Sequence, residues 1–260
     1  MVALPPGVIL QLLYLKERLA TLTPGQFIEI GPGRGDISRV LLDLGWRGVG
    51  FEIEEETVSE LSNRFGAEVS AGRYDVVRSD WLESSVNVKV DLVISCMVIE
   101  HLDEPRERAF LAQAAKVLKT GGMMIGLVPA SPAAWGIEDD VAGHFRRYTR
   151  PSLKRLITEN GWHCTHMAGL TFPVSNLLLP FSNWLVNRHE RAKLSLTVAE
   201  RTKLSGHRRV MAKTHFPPSA ALLLNEPVFR PLHWLQKRYL NSDRALVLYF
   251  EAKVESEGAG

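Results

Sequence analysis

Glu29-Ile30-Gly31-Pro32-Gly33-Arg34-Gly35-Asp36 is the stretch that decides the fold of this 260-residue chain. The apolar run 26–30 predicts a buried strand that ends in it, and residues 37–44 have the periodicity of a helix. Glycines between a strand and a helix let a ligand approach backbone N–H groups at the positive helix end. A tight strand-to-helix turn is the alternative interpretation of the same residues.

The alternation of strand and helix continues on both sides of this loop. Pro5 and Pro6 open a predicted N-terminal helix, and Thr120-Gly121-Gly122 predicts a break between a helix and the next strand. We predict further strands at 48–53, 75–78, 88–95, 123–128, 162–168 and 245–253, with helices at 55–65, 105–118 and 151–160. This order predicts an α/β fold with a mostly parallel sheet, in which ligands bind beyond the carboxyl ends of the strands.

The composition is that of an ordinary globular protein, with 45% hydrophobic and 23% charged residues. Cys96 and Cys164 have no metal-binding or disulfide spacing, which favours a reducing, cytoplasmic compartment. The apolar residues of 1–25 are interrupted by Lys16, Glu17 and Arg18, so we expect neither a signal peptide nor a membrane span there.

Two carboxylates and one acidic-aromatic pair accompany the glycine loop. Glu29 precedes a G-x-G-x-G spacing that differs from the dinucleotide-binding pattern, and it suits a ligand carrying an ammonium and a sulfonium. Glu52, at the end of the second strand, can accept hydrogen bonds from two ribose hydroxyls, although acidic residues also favour the helix start that follows. Asp80 and Trp81 follow the third strand and could bind a purine; a core position is the alternative for Trp81.

Together, these motifs resemble the class I methyltransferases that use S-adenosylmethionine, within their small-molecule group (types 11, 12 and 23). The resemblance covers roughly residues 5–168 and the final strand. It rests on five stretches in order, which are EIGPGRGD (29–36), GVGFE (48–52), SDW (79–81), DLVISCMVIEHLDEP (91–105) and VLKTGGMMI (117–125).

The resemblance implies a Rossmann-like three-layer sandwich whose seven-stranded sheet is mostly parallel, with an antiparallel last strand. It also implies S-adenosylmethionine as cofactor and S-adenosylhomocysteine as product. Glu29 and the backbone of the loop would bind the methionine part, Glu52 the ribose, and Asp80 with Trp81 the adenine. The implied cofactor-binding residues are Glu29, Gly31, Gly33, Gly35, Glu52, Ile53, Asp80, Trp81, Cys96 and Met97.

Methyl transfer from a sulfonium is an in-line displacement that depends on placement of the acceptor, so we expect no metal. An oxygen acceptor also benefits from a base, for which His144 and His101 are the candidates. His144 could be a base, an acceptor contact or a structural residue, whereas His101 fits a structural role better. Arg146, Arg147 and Tyr148 complete the candidate acceptor site, a solvated basic helix entrance being the alternative for the arginines.

Residues 170–244 depart from the resembled family, whose last two strands are joined by a short turn. This mainly helical insertion carries 12 Lys or Arg against 4 Asp or Glu, in a chain whose net charge is +2. Pro180 interrupts an apolar stretch too short to cross a bilayer. Three roles remain open: a lid over an apolar acceptor, a peripheral membrane contact, or a subdomain that extends the core or forms a homodimer. The core domain would comprise residues 1–169 and 245–260.

The sequence thus predicts a cytoplasmic enzyme, with membrane association as an open alternative. It would methylate an oxygen of a small-molecule or lipid-like acceptor, with a nitrogen as second candidate. An NAD-dependent oxidoreductase is disfavoured by the glycine spacing, and a non-catalytic S-adenosylmethionine-binding protein is the other alternative. Nucleic acid is not an expected partner, because residues 95–98 lack the Asn/Asp-Pro-Pro-aromatic run of nucleobase amino-methyltransferases.

Overall fold

A single sheet of seven strands organises the chain in the computed structural model, which describes residues 3–197, 200, 216 and 218–255. The strands alternate with helices, as the hydrophobic periodicity predicts. In chain order they are β1 (Gln26–Ile30), β2 (Arg47–Glu52), β3 (Tyr74–Arg78), β4 (Val90–Cys96), β5 (Leu118–Pro129), β6 (Trp162–Leu170) and β7 (Val247–Val254).

The strand order is β3-β2-β1-β4-β5-β7-β6. β7 runs antiparallel to both β5 and β6, and the other neighbouring strands are parallel. The order reverses between β1 and β4, and in open α/β sheets ligands bind in the crevice at the carboxyl ends beside this reversal. The predicted Rossmann-like fold with an antiparallel last strand is therefore confirmed.

Helices cover both faces of the sheet and bury two separate cores. One core contains Phe110 and Leu153, and the other contains Leu15, Leu41 and Leu61. The nine described helices are α1 (Pro6–Leu19), α2 (Asp36–Asp43), α3 (Glu55–Arg64), α4 (Gly66–Ser70), α5 (Glu104–Val117), α6 (Ile137–Ala142), α7 (Arg150–Glu159), α8 (Val174–Glu190) and α9 (Glu226–Lys237). Helices α5 and α7 thus line one face and α1 to α3 the other, which gives three layers.

The predicted break at 120–122 is wrong, because β5 begins at Leu118 directly after α5. Gly121 adopts a positive φ of 82°, and the pairing of β4 with β5 shifts register between Val90 and Leu92. An irregularity of this kind lets a glycine-containing segment stay in the sheet instead of leaving it.

The described part of the insertion is helical and packs on the N-terminal helix. Leu10 and Leu13 of α1 form a small core with Phe229 of α9, and Glu17 contacts His233 and Lys237. Within the insertion, residues 188–213 are rich in Lys and Arg, and part of this basic stretch lies outside the described residues. Among those described, no helix is long and apolar enough to cross a bilayer. The division into a core and an insertion stays a prediction.

Candidate active site

The glycine loop lies between β1 and α2, at the reversal of strand order. Its glycines adopt positive φ angles of 69° at Gly31, 52° at Gly33 and 74° at Gly35, a region that favours glycine over other residues. A Cβ at Gly35 would lie 2.5 Å from a ring atom of Phe65, whereas one at Gly33 would meet nothing within 4 Å. Gly35 is therefore needed for packing, and Gly33 leaves open space beside the backbone.

Glu29 is buried directly beneath this loop and is only 2% exposed. The hydroxyl of Ser38 donates to its carboxylate at 2.5 Å and lies 2.9 Å from the hydroxyl of Tyr74. Burial raises the pKa of Glu29 to about 7, although the hydrogen bond from Ser38 acts in the opposite direction. A cationic ligand beside this carboxyl group would favour its charged form.

Glu52 ends β2, and backbone N–H groups hold its carboxylate in place. One oxygen accepts from Ile53 at 2.8 Å and from Glu54 at 3.3 Å, while the other accepts from Gly33 at 3.3 Å. This last bond joins the end of β2 to the glycine loop. A carboxylate oxygen has more than one acceptor site, so Glu52 can still accept from a diol. Ile53 beside it is 48% exposed.

Asp80 and Trp81 follow β3 but point to different surroundings. Asp80 accepts from the N–H of Leu82 and from Arg106, each at 2.9 Å. Trp81 is 3% exposed and packs edge-to-face against Phe51 and Phe110. The sequence allows either a core position or an adenine contact for Trp81. The burial of its ring favours the core position.

Cys96 and Met97 lie at the carboxyl end of β4. Burial raises the pKa of the Cys96 thiol above its usual value, so this thiol stays protonated. Met97 has a φ of 55°, as uncommon for a side chain of this size as the 59° of Ser131, which follows the neighbouring β5. Such backbone conformations concentrate at functional sites, and both flank the space beyond β4 and β5.

His144 lies in the loop between α6 and α7, where its ring is fixed from one side. Its Nδ1 lies 2.8 Å from the carboxylate of Asp139, a fully buried side chain that also accepts from Arg147 at 2.7 Å. Burial acts to raise the pKa of Asp139, but the hydrogen bonds from His144 and Arg147 outweigh it and hold the pKa below its usual value. An ionised Asp139 can only accept, so the Nδ1–H of His144 donates to it, and in the neutral form of the ring the lone pair is on Nε2.

Glu100 is the residue of the site that the sequence analysis missed. It lies in the turn Ile99–His101, and its carboxylate is 0% exposed, 3.9 Å from Nε2 of His144. Burial raises the pKa of Glu100 to about 7. The ring of His101 meets that of His144 edge-on at 4.7 Å between centroids. The sequence did contain a signal for this residue, a glutamate that directly follows the apolar Val98 and Ile99. A glutamate at a buried position needs a partner, which marks it as a candidate site residue.

Arg146, Arg147 and Tyr148 all have partners within the protein. Arg146 donates to Glu107 at 2.9 Å, and the hydroxyl of Tyr148 donates to the same carboxylate. Arg147 pairs with Asp139 and donates to the carbonyl of Ala130 at 3.1 Å. Carboxylates thus already compensate both guanidinium charges, which argues against the expectation that these arginines bind an anionic acceptor.

The structure thus has two groups of candidate site residues. The glycine loop with Glu29 and Glu52 follows β1 and β2, and His144 with its neighbouring carboxylates belongs to the segments that follow β4 and β5. A family sequence profile described as "Methyltransferase domain" matches residues 10–167, which is more than half of the chain. The chain belongs to this family. It is an S-adenosylmethionine-dependent methyltransferase, and the oxidoreductase alternative is dropped. Comparison with characterised protein sequences gave no match.

Solved structures share the fold of this methyltransferase at low sequence identity. The glycopeptide N-methyltransferase MtfA, also crystallised with S-adenosylmethionine, is 14% identical with a TM-score of 0.54, over 93% of this chain and 89% of that one. An S-adenosylmethionine-dependent methyltransferase from Clostridium acetobutylicum is 9% identical with a TM-score of 0.54, over 95% of this chain and 91% of that one. The mitomycin 7-O-methyltransferase MmcR is 19% identical with a TM-score of 0.51, over 63% of this chain and 50% of that one. The cofactor is S-adenosylmethionine, and the fold hosts both N- and O-methylation.

Proposed function

We propose that this methyltransferase transfers the methyl group to an oxygen of a small-molecule or lipid-like acceptor. The observation that carries the proposal is the Asp139–His144 pair at the carboxyl ends of β4 and β5. A hydroxyl acceptor must give up its proton as it attacks the methyl carbon, whereas a neutral amine can attack with its lone pair. A histidine whose Nε2 lone pair is fixed in direction supports an oxygen acceptor, and we assign acceptor activation to His144.

We propose that the cofactor lies across the glycine loop with its methionine end toward Glu29. The open space at Gly33 supports this placement, and the fixed carboxylate of Glu52 supports a ribose contact. Ile53 and Asp80 would border the adenine, since both lie at the ends of neighbouring strands. Cys96 and Met97 would flank the sulfonium from the end of β4.

We propose that the insertion helps to select the acceptor. Helix α8 packs on α6, which carries Asp139; Ser182 lies within 3.5 Å of Glu138, and Asn183 lies against Gly136. An apolar stripe on α8, defined as Leu177, Phe181 and Trp184, is exposed to solvent. Because these residues are four and three positions apart, they lie on one face of α8. They could therefore contact an apolar acceptor together. Membrane contact and a homodimer through 170–244 stay predictions.

The test is a turnover assay that detects S-adenosylhomocysteine by mass spectrometry with matched phenol, hydroxy-lipid and amine acceptors. We expect product only from the hydroxyl compounds. The His144→Ala variant should lower kcat by about 10²- to 10³-fold while calorimetry shows unchanged S-adenosylhomocysteine affinity. His163→Ala, an exposed histidine on β6, is the matched control. Methylation of amines alone, or full activity of His144→Ala, would overturn the proposal.

A further inference from the structure

Glu100, His101 and His144 bring three potential metal ligands together from two separate segments. One ligating atom from each lies within 4.8 Å of the other two. Glu100 and His101 come from the turn after β4, and His144 comes from the loop before α7. The N–H of Phe145 donates to the carbonyl of Glu100 at 2.8 Å, which ties these segments together. This backbone hydrogen bond holds the two segments that carry the three side chains next to each other.

Among the residues that the structure describes, no side chain donates a hydrogen bond to the carboxylate of Glu100. This carboxylate is 0% exposed. The ring nitrogen Nε2 of His144 lies 3.9 Å from this carboxylate, which exceeds hydrogen-bond distance. Burying a carboxylate without a partner is costly, so such a group indicates a ligand that compensates it.

His144 has the second-sphere support typical of a metal-ligating histidine. Its Nδ1–H donates to Asp139, which leaves Nε2 as the ligating atom and aims it at the cluster. Asp139 is fixed in turn by the N–H of Gly136 at 2.9 Å and by Arg147. Carboxylate–histidine pairs of this kind orient the imidazole and raise its basicity at metal centres.

We propose that Glu100, His101 and His144 bind a divalent transition-metal ion, such as Zn²⁺, that takes the acceptor oxygen at an open coordination position. Two imidazoles and one carboxylate are ligands that Zn²⁺ and Fe²⁺ accept, whereas Mg²⁺ and Ca²⁺ prefer oxygen ligands. Metal–ligand distances of about 2.0–2.2 Å would bring the ligating atoms to roughly 3–3.5 Å apart, a side-chain movement of about 1 Å. This departs from the expectation of a metal-free site.

The ion deepens the role assigned to His144 and rests on the proposed oxygen methylation. A hydroxyl bound to the ion loses its proton to water more readily, because the cation stabilises the oxyanion. An oxygen lone pair then forms the bond to the methyl carbon, and the electron pair of the carbon–sulfur bond returns to sulfur. The sulfonium becomes a neutral thioether. His144 thus acts on the acceptor through the ion instead of as a free base.

Metal binding can be measured without an acceptor, on untagged protein stripped with EDTA. Titration with Zn²⁺, monitored by a competing chelator dye, should show one equivalent bound, and Co²⁺ should give the visible absorption of a low-coordinate site. Glu100→Gln and His101→Ala should each weaken Zn²⁺ binding at least tenfold, and Asp139→Asn by about 10- to 100-fold. His163→Ala controls for binding to surface histidines.

Thermal unfolding gives a second readout that does not depend on activity. Zn²⁺ should raise the Tm of the wild type by several degrees and leave that of Glu100→Gln unchanged. Without metal, Glu100→Gln should be at least as stable as the wild type, because it removes a buried charge. This expectation keeps the variant informative about folding.

The outcomes separate the metal site from the methyltransferase activity. Absence of stoichiometric binding, or binding that Glu100→Gln and His101→Ala leave intact, would overturn the site. Full turnover of EDTA-stripped enzyme would overturn the role of the ion in acceptor activation. Failure of the proposed oxygen methylation would appear instead as metal bound normally while hydroxyl acceptors yield no S-adenosylhomocysteine.

Discussion

The donor side and the acceptor side that we propose for this active site are built in different ways. The donor side uses short stretches at the ends of β1 and β2, where backbone conformation and one carboxylate per strand make the surface. The acceptor side joins the turn 99–101 with α6 and the loop before α7, and its side chains gain direction only from partners such as Asp139. The proposed cofactor contacts therefore depend on local sequence, whereas the proposed acceptor contacts depend on tertiary packing.

The largest effect should come from breaking the support of the acceptor side. Asp139→Asn replaces an acceptor that fixes the tautomer of His144 with an amide that can also donate. We expect kcat to fall by about 10²- to 10⁴-fold, with S-adenosylhomocysteine affinity unchanged. Asp140→Asn is the control, since its carboxylate is exposed and accepts a hydrogen bond from the indole N–H of Trp135 at 3.0 Å. A large loss of cofactor affinity in Asp139→Asn would show that the two sides are not separate.

The next largest effect should come from the donor side. Glu52→Gln removes the charge that we propose for hydrogen bonding to the ribose, so calorimetry should show cofactor binding weakened by about 10- to 100-fold. The exposed Glu55, which pairs with Arg78, provides the control Glu55→Gln. Equal affinities for both variants would remove Glu52 from the cofactor site.

The pH dependence of cofactor binding sharpens the donor side further. Burial raises the pKa of Glu29 to about 7 in the free protein, and a bound ammonium favours the ionised form. Binding therefore releases a proton below this pKa, and affinity should fall as pH drops from 7 to 6, by up to about tenfold. Glu29→Gln should flatten the profile measured by calorimetry in that range. A wild-type profile that is already flat would contradict an ionic contact with Glu29.

The smallest effect should come from the apolar stripe of α8. Phe181→Ser should raise the KM of an apolar acceptor by about 3- to 10-fold through lost apolar burial, and leave the KM of S-adenosylmethionine unchanged. Because Phe181 is exposed, the free energy of unfolding should change by less than about 0.5 kcal/mol. Val88→Ser, an exposed apolar residue just before β4, is the control. If Phe181→Ser and Val88→Ser gave the same KM for the acceptor, the proposal that α8 helps to select the acceptor would be wrong.

The residues of the proposed donor side were identified from local signals in the sequence. The positive φ angles at residues 31, 33 and 35 favour glycine, so the three glycines indicate the loop directly. Short apolar runs indicate where the strands end. The fold class and the antiparallel last strand, which the family resemblance implies, are confirmed.

The acceptor side was predictable only in part. His144 was identified as a candidate, but its partners are set by how α6 packs beside the turn 99–101. The sequence leaves Arg146 and Arg147 as acceptor contacts or as a solvated helix entrance, because it does not show that Glu107 and Asp139 neutralise them. The ring of Trp81 likewise became a core residue through contacts with distant aromatic residues.

The position of β7 has a consequence for biosynthesis. β5 ends at Pro129 and its partner β7 begins at Val247, after the whole insertion. At the speed of a ribosome, the open edge of β5 waits on the order of ten seconds before that partner has been made. An unpaired edge of this kind can pair with another chain. The insertion thus also sets how long the nascent sheet stays exposed to aggregation, and a chaperone that covers strand edges would act in that interval.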